Sequence, residues 1–269
     1  MTVFDKEMLC SKSIKSLLSP LRIQLRVILA LLLREMKTTF GNSSLGYLWA
    51  ILTPALGVGL LVLIFSFASR QPPFGQSLFL FFATGFLTFE FYKKLSNSLM
   101  NVIDSNKALL LYPVVTVTSA IAARFILITL TYFVIMLIFY GCLIFLGLAK
   151  FPSFPINLIM AFAAISLFGL GIGLINLFII SIWQSWRYVW KIFNRPMFFI
   201  SGIFFIPSLL PDYALFYLKF NPVMHLIEWV RSAYYPNYDS RVLDCDFVIG
   251  LSFILIVFGL AGERCLRRK

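Results

Sequence analysis

Six stretches of this chain, at about 47–69, 77–99, 115–147, 156–182, 191–210 and 246–262, are apolar and long enough to compete for the interior of a bilayer. A helix that crosses the hydrocarbon core needs ~20 mostly apolar residues, and there each backbone N–H and C=O must be bonded within the protein. With 60% of residues hydrophobic and only 13% charged, the chain has more apolar surface than a soluble domain can hide. It reads as an integral membrane protein. The period-two alternation of a membrane barrel is absent, so the expected fold is an all-α bundle of six transmembrane helices. No short apolar segment with a cleavage site marks a signal peptide, which leaves targeting to the first span.

Orientation follows from the cations. Seventeen of the 23 Lys and Arg residues fall on the side of the N-terminus, against five on the other (Arg70, Lys150, Lys219, Arg231 and Arg241), with Arg124 inside a span. By the positive-inside rule both termini are cytoplasmic. Much of the formal charge of +12 is then topology and contact with anionic headgroups, and no nucleic-acid partner is expected. Cys10, Cys142, Cys245 and Cys265 are not placed to pair, and no C-x-x-C occurs. The chain divides into a cytoplasmic N-terminus, 1–46, and a membrane domain, 47–269, with no internal repeat or linker.

From about Leu21 to Phe40, Arg22, Gln24 and Arg26 alternate with leucines, and the segment closes on Arg34, Glu35, Met36 and Lys37. Such a helix lies in the inner interface, cations among headgroups and leucines among acyl chains. A Gly-turned lead-in, Phe40 to Trp49 followed by Pro54, then starts the first span.

Arg34, Lys37, Phe40, Gly41, Leu45, Gly46, Tyr47, Leu48, Trp49 and Pro54 resemble the lead-in of the ABC-2 type transport permeases that export polysaccharides. Arg195, Pro196, Phe198, Phe199, Ser201, Gly202, Ile203, Phe204 and Phe205, followed by the Asn221 segment, look like the capsular branch of that family. The order of elements agrees from about residue 20 to the end. The resemblance implies a permease subunit in the bacterial inner membrane for lipid-linked capsular polysaccharide, with O-antigen or teichoic-acid export as relatives of the same kind. It also implies a second permease copy, two ATPase chains carrying ATP and Mg, and periplasmic or outer-membrane export components. In agreement, this chain holds no G-x-x-x-x-G-K-[ST] phosphate loop and no cofactor is expected on it. A membrane enzyme acting on lipid or sugar is the competing class.

Coupling to an ATPase is expected at Asn101 to Pro113, where Asp104 or Ser105 caps a short helix that Pro113 ends. Ser105, Asn106, Lys107, Leu109, Leu110 and Tyr112 would dock, with Glu35 and Lys37 beside them; the plain alternative is a connecting loop. On the second span Glu90, Lys93 and Lys94 share a face at spacings of three and four, either as an interfacial ion pair or as the lining of a basic entrance. Arg124 is expected to snorkel or pair structurally. Trp183, Trp186, Arg187, Tyr188, Trp190 and Lys191 form an aromatic-cationic cluster in the loop after the fourth span, read as an interfacial belt or as faces for sugar rings. Tyr47, Trp49, Phe86 and Tyr92 complete the expected substrate pathway.

Between the last two spans, 211–240 is expected to form re-entrant external helices. There Asn221, Pro222, His225, Glu228 and Arg231 would build a hinged external gate held by a Glu228–Arg231 pair. No metal site is expected, because His225 is the only histidine and Asp244 and Asp246 have no further ligands near them. Glu228 lacks a partner carboxylate for acid–base hydrolysis, so no catalytic residue is assigned.

Overall fold

The computed structural model describes residues 22–38, 44–68 and 71–267, without the side chains at 44, 45, 47, 266 and 267. Its regular elements there are all helical: α1 (22–38), α2 (Ser44–Phe67), α3 (Leu78–Met100), α4 (Val102–Asn106), α5 (Val117–Phe145), α6 (Pro155–Ile182), α7 (Trp186–Ile200), a 3-10 turn at Pro207–Leu209, α8 (Asp212–Leu218), α9 (Pro222–Tyr234) and α10 (Cys245–Arg267). The starts are set locally. Ser77 accepts a hydrogen bond from the Leu80 N–H, Thr116 from that of Ser119 and Asn221 from that of Val223, while Pro155 and Pro222 occupy first helical positions.

Among the described residues four helices are long and apolar enough to cross a membrane: Leu48–Phe67 of α2, Val117–Phe145, Pro155–Ile182 and Cys245–Cys265 of α10. Helix α3 has the length, at 23 residues, but carries Glu90, Lys93 and Lys94. The expected fifth span, 191–210, is corrected. Its helix begins earlier, at Trp186, and stops at Ile200 after 15 residues, a rise of only ~22 Å. Gly202, at φ +81°, then turns the chain in the left-handed region that ends helices.

Helices α3 and α6 form the centre, with α6 sandwiched between α3 and α10. Three alternate glycines make that possible. A Cβ on Gly173 would lie 2.7 Å from the Leu99 Cβ of α3, and one on Gly171 would lie 2.9 Å from the Leu255 Cβ of α10. Small residues on both faces let three backbones approach where, in lipid, packing rather than hydrophobicity drives association. Helix α1 lies at the end of the bundle where α3 finishes and α5 begins, with Leu31 and Glu35 buried and Leu29 and Leu33 exposed. Helix α9 packs on α3 and α6 at the other end.

Candidate functional site: a polar junction, two clefts and a buried end helix

At the α1 end, the chain brings five elements together through polar side chains. Glu35 of α1 is buried and accepts from Arg124 of α5 at 2.5 Å and from the Asn106 amide of α4 at 2.9 Å. Arg34 donates to the Asn106 carbonyl oxygen at 2.6 Å, and Arg124 also donates to Ser98 of α3 at 3.2 Å. Asp104, on the exposed side of α4, pairs with Arg187 of α7 and, at 3.4 Å, with Lys107. The short α4 therefore ties α1 and α5 on one side to α7 on the other.

This corrects the expected docking surface. Glu35 and Asn106 are committed to the buried network and do not face a partner. Asn101 is the N-cap of α4, so neither Asp104 nor Ser105 caps it; Ser105 instead donates to the Asn101 carbonyl at 2.9 Å. What remains outward is Lys37, Ser105, Lys107 and the apolar turn that follows α4: Leu109 and Leu110 are half-buried, while Leu111 is 85% and Tyr112 63% exposed. Consecutive turns hold these large apolar side chains outward.

Helix α3 separates two clefts. Lys93 and Lys94, 100° apart around the helix, diverge into different ones. The cleft between α3 and α7, about 560 Å³, is lined by Phe86, Phe89, Glu90, Lys93, Lys191, Asn194, Arg195, Phe198 and Phe199. Lys93 pairs with Glu90 at 2.7 Å, which leaves Lys191 and Arg195 as the excess cations. The Asn194 amide donates to the Trp190 carbonyl, and its buried Oδ1 has no partner. The second cleft, about 550 Å³ between α2, α3 and α5, takes Trp49, Glu90, Lys94 and Arg124.

Several expected pathway residues lie elsewhere. Tyr92 is buried and stacks on Phe168 of α6 at 5.4 Å between ring centroids. Of the aromatic-cationic cluster, Trp183 ends α6 and the rest sits on the first turns of α7 rather than in a loop: Trp186 donates to Asn176 of α6 at 2.8 Å, and Trp190 is buried against it. These rings have turned inward because α7 is strongly amphipathic and docks its aromatic face on the bundle. Trp183 alone of the three stays half-exposed, and the Tyr47 side chain lies outside the described residues. Lys191, Asn194 and Arg195 of the α3/α7 cleft were not singled out together from sequence. Their signal was the i, i+3, i+4 spacing on a helix, masked by reading 183–191 as a loop.

At the far end, the proposed lid residues are interior. Asn221 and Pro222 do set the start of α9, yet every α9 residue except Pro222 and Ser232 is buried. The Arg231 guanidinium donates to the carbonyls of Ile203 and Phe205, both at 3.2 Å, lies 4.1 Å from the Phe81 ring centre and 3.6 Å from Glu228. Glu228 accepts in turn from Tyr238 at 2.5 Å and Ser240 at 2.7 Å. Burial pushes the Tyr238 phenol well above its usual range, with the Glu228 carboxylate adding to the rise against the lowering effect of Arg231, so it stays a donor. The Asp244 N–H donates to His225 Nδ1, which puts the imidazole proton on Nε2, where it reaches the Lys219 carbonyl at 2.7 Å. Both ring nitrogens are thus used. Helix α9 is an interior element; the exposed residues of 211–240 include those of α8, with Tyr213, Phe216 and Tyr217, then Lys219 and Phe220, and the turn that holds Pro236, Asn237 and Asp239.

Residues 26–235 match the ABC-2 type transporter family. The chain is 30% identical over 250 residues to the polysialic acid transport protein KpsM of Escherichia coli, covering 91% of this chain and 95% of that one. It is 26% identical over 246 residues to the capsule polysaccharide export inner-membrane protein CtrC of Neisseria meningitidis serogroup A, covering 91% and 93%. To the capsule polysaccharide export inner-membrane protein BexB of Haemophilus influenzae it is 26% identical over 240 residues, covering 89% and 91%. The polar junction, the basic cleft and the apolar helices around them therefore sit in a chain that belongs to the ABC-2 type transporter family.

Proposed function

We propose that this chain is the permease subunit of an ATP-driven exporter of capsular polysaccharide in the bacterial inner membrane. The observation that carries the reading is the α3/α7 cleft. Its phenylalanine faces suit the C–H faces of sugar rings, Lys191 and Arg195 suit acidic substituents, and the unpartnered Asn194 Oδ1 suits a sugar hydroxyl. Aromatic walls hold a polymer without fixing its register, which a sliding chain requires. The family membership and the relatives named for capsule export support the same substrate class.

In this reading two copies of the chain enclose the pathway, each with six crossings in chain order: α2, α3, α5, α6, α7 with the turn that follows it, and α10. Residues 211–240 return into the membrane from outside, with α9 as the wall of the outer mouth. Both termini face the cytoplasm. A separate ATPase, in two copies, binds ATP and Mg and seats on the Leu109–Tyr112 turn, with Lys37 and Lys107 at its edge. Periplasmic components receive the polymer. The chain itself performs no reaction.

The test is to purify the chain with its ATPase and measure hydrolysis stimulated by lipid-linked acidic glycan. Replacing Lys191 and Arg195 by Gln lowers stimulation several-fold at equal expression; unchanged stimulation would remove the cleft from the pathway.

A further inference from the structure

The cleft between α2, α3 and α5 has a separate chemistry. Its lining climbs α5 as a stripe, Arg124, Leu127, Ile128, Thr131, Tyr132 and Ile135, over ~16 Å of helix. The cations and amides gather at the Arg124 end, where Lys94, Asn97, Ser98 and Asn101 of α3 face it; Leu127, Ile128 and Ile135 extend from there, with Thr53, Glu90, Thr131 and Tyr132 beside them. Trp49 of α2, 58% exposed, stands at its edge. A polar end continued by a largely apolar slot of about 550 Å³ has the form of a headgroup and the start of its chains.

Two buried atoms at the polar end lack partners. Arg124 uses its terminal nitrogens on Ser98 and Glu35, which leaves Nε without an acceptor; Asn97 Oδ1 is without a donor. A buried polar group left dry destabilises the site, so a ligand that offers both an acceptor and a donor is favoured. The charges narrow the choice. Arg124 is neutralised by Glu35, and Glu90 by Lys93, while Lys94 has no ion-pair partner among the described residues. The cleft therefore holds one excess positive charge.

We infer that this cleft binds an anionic phospholipid whose phosphodiester oxygens accept from Lys94 and Arg124 Nε and whose headgroup hydroxyl donates to Asn97. A phosphatidylglycerol-type headgroup has that charge and those donors; a phosphatidylcholine headgroup has neither. The site lies across α3 from the polymer cleft, sharing with it only Glu90, and it places a lipid against the same Arg124 that joins α1 to α5.

The experiment is native mass spectrometry of the full chain, titrated in detergent with dioleoyl phosphatidylglycerol and, separately, dioleoyl phosphatidylcholine. Wild type retains the glycerol lipid at least about 5-fold more strongly. Lys94→Gln and Asn97→Leu each reduce that preference about 5-fold, Lys94→Arg restores it, and Lys150→Gln, the same charge change on the α5–α6 connection, leaves it intact. Equal retention of both lipids, or an unaltered preference in Lys94→Gln, overturns the assignment. So does a lipid adduct that disappears when the protein is made in cells lacking polymer synthesis, because the occupant is then the polymer's own anchor.

Discussion

Replacing Glu35 by Gln strands the Arg124 guanidinium in the junction where α1, α3, α4 and α5 meet. Glu35 is 4% and Arg124 12% exposed at the side chain, so solvent does little to shield either charge once the other is gone. Removing one partner of a buried pair costs about 3–5 kcal/mol, chiefly as the penalty of the charge left behind. Gln still accepts from Asn106, so ~3 kcal/mol is expected for Glu35→Gln and a similar loss for Arg124→Gln. The double variant buries no charge and loses about as much as either single one, giving a coupling energy near 3 kcal/mol. At roughly 2 °C per kcal/mol for a chain of this size, each single variant melts ~6 °C lower and the double no lower than that. The assay is thermal unfolding in detergent, followed by tryptophan fluorescence and by the monodisperse fraction on gel filtration. Additive losses, to within ~0.5 kcal/mol, would mean that the two charges do not see each other and would refute the junction as described.

Arg231→Lys costs about 2–3 kcal/mol in the same assay, because an ammonium cannot span the Ile203 and Phe205 carbonyls while stacking on Phe81. Gly85→Ala destabilises by about 1–3 kcal/mol, since a Cβ there would come 3.2 Å from the Ile203 Cα and 3.3 Å from an Arg231 nitrogen; wild-type stability would show that this contact relaxes freely. Leu111→Asp leaves melting unchanged, its side chain being 85% exposed, and abolishes copurification with the partner ATPase; retention of the ATPase would exclude the turn as the docking knob. Asp104→Asn, which removes the pairing with Arg187 at a half-exposed site, costs under ~1 kcal/mol of stability yet lowers substrate-stimulated ATP hydrolysis, read against equal expression.

Composition settled that the chain belongs in a membrane, and the absence of period-two alternation left the helical bundle rather than the closed barrel as the way to satisfy its backbone in hydrocarbon. Local rules were equally legible: Pro222 and Asn221 start α9, and Glu228 lies within reach of Arg231 because i and i+3 share a helix face. Arg124 could be read as a span arginine in need of a partner. Its partner could not, since Glu35 is 89 positions away and only the docking of α1 brings the two together. The same limit explains the fifth span. Its apolar run reads as continuous, but the turn at Gly202 exposes the carbonyls of Ile203 and Phe205, and an arginine from α9 bonds them. Lys93 and Lys94 differ by one helical step, a rotation any sequence shows; which helices stand on either side, and therefore which cation serves which cleft, follows from packing between segments far apart in the chain.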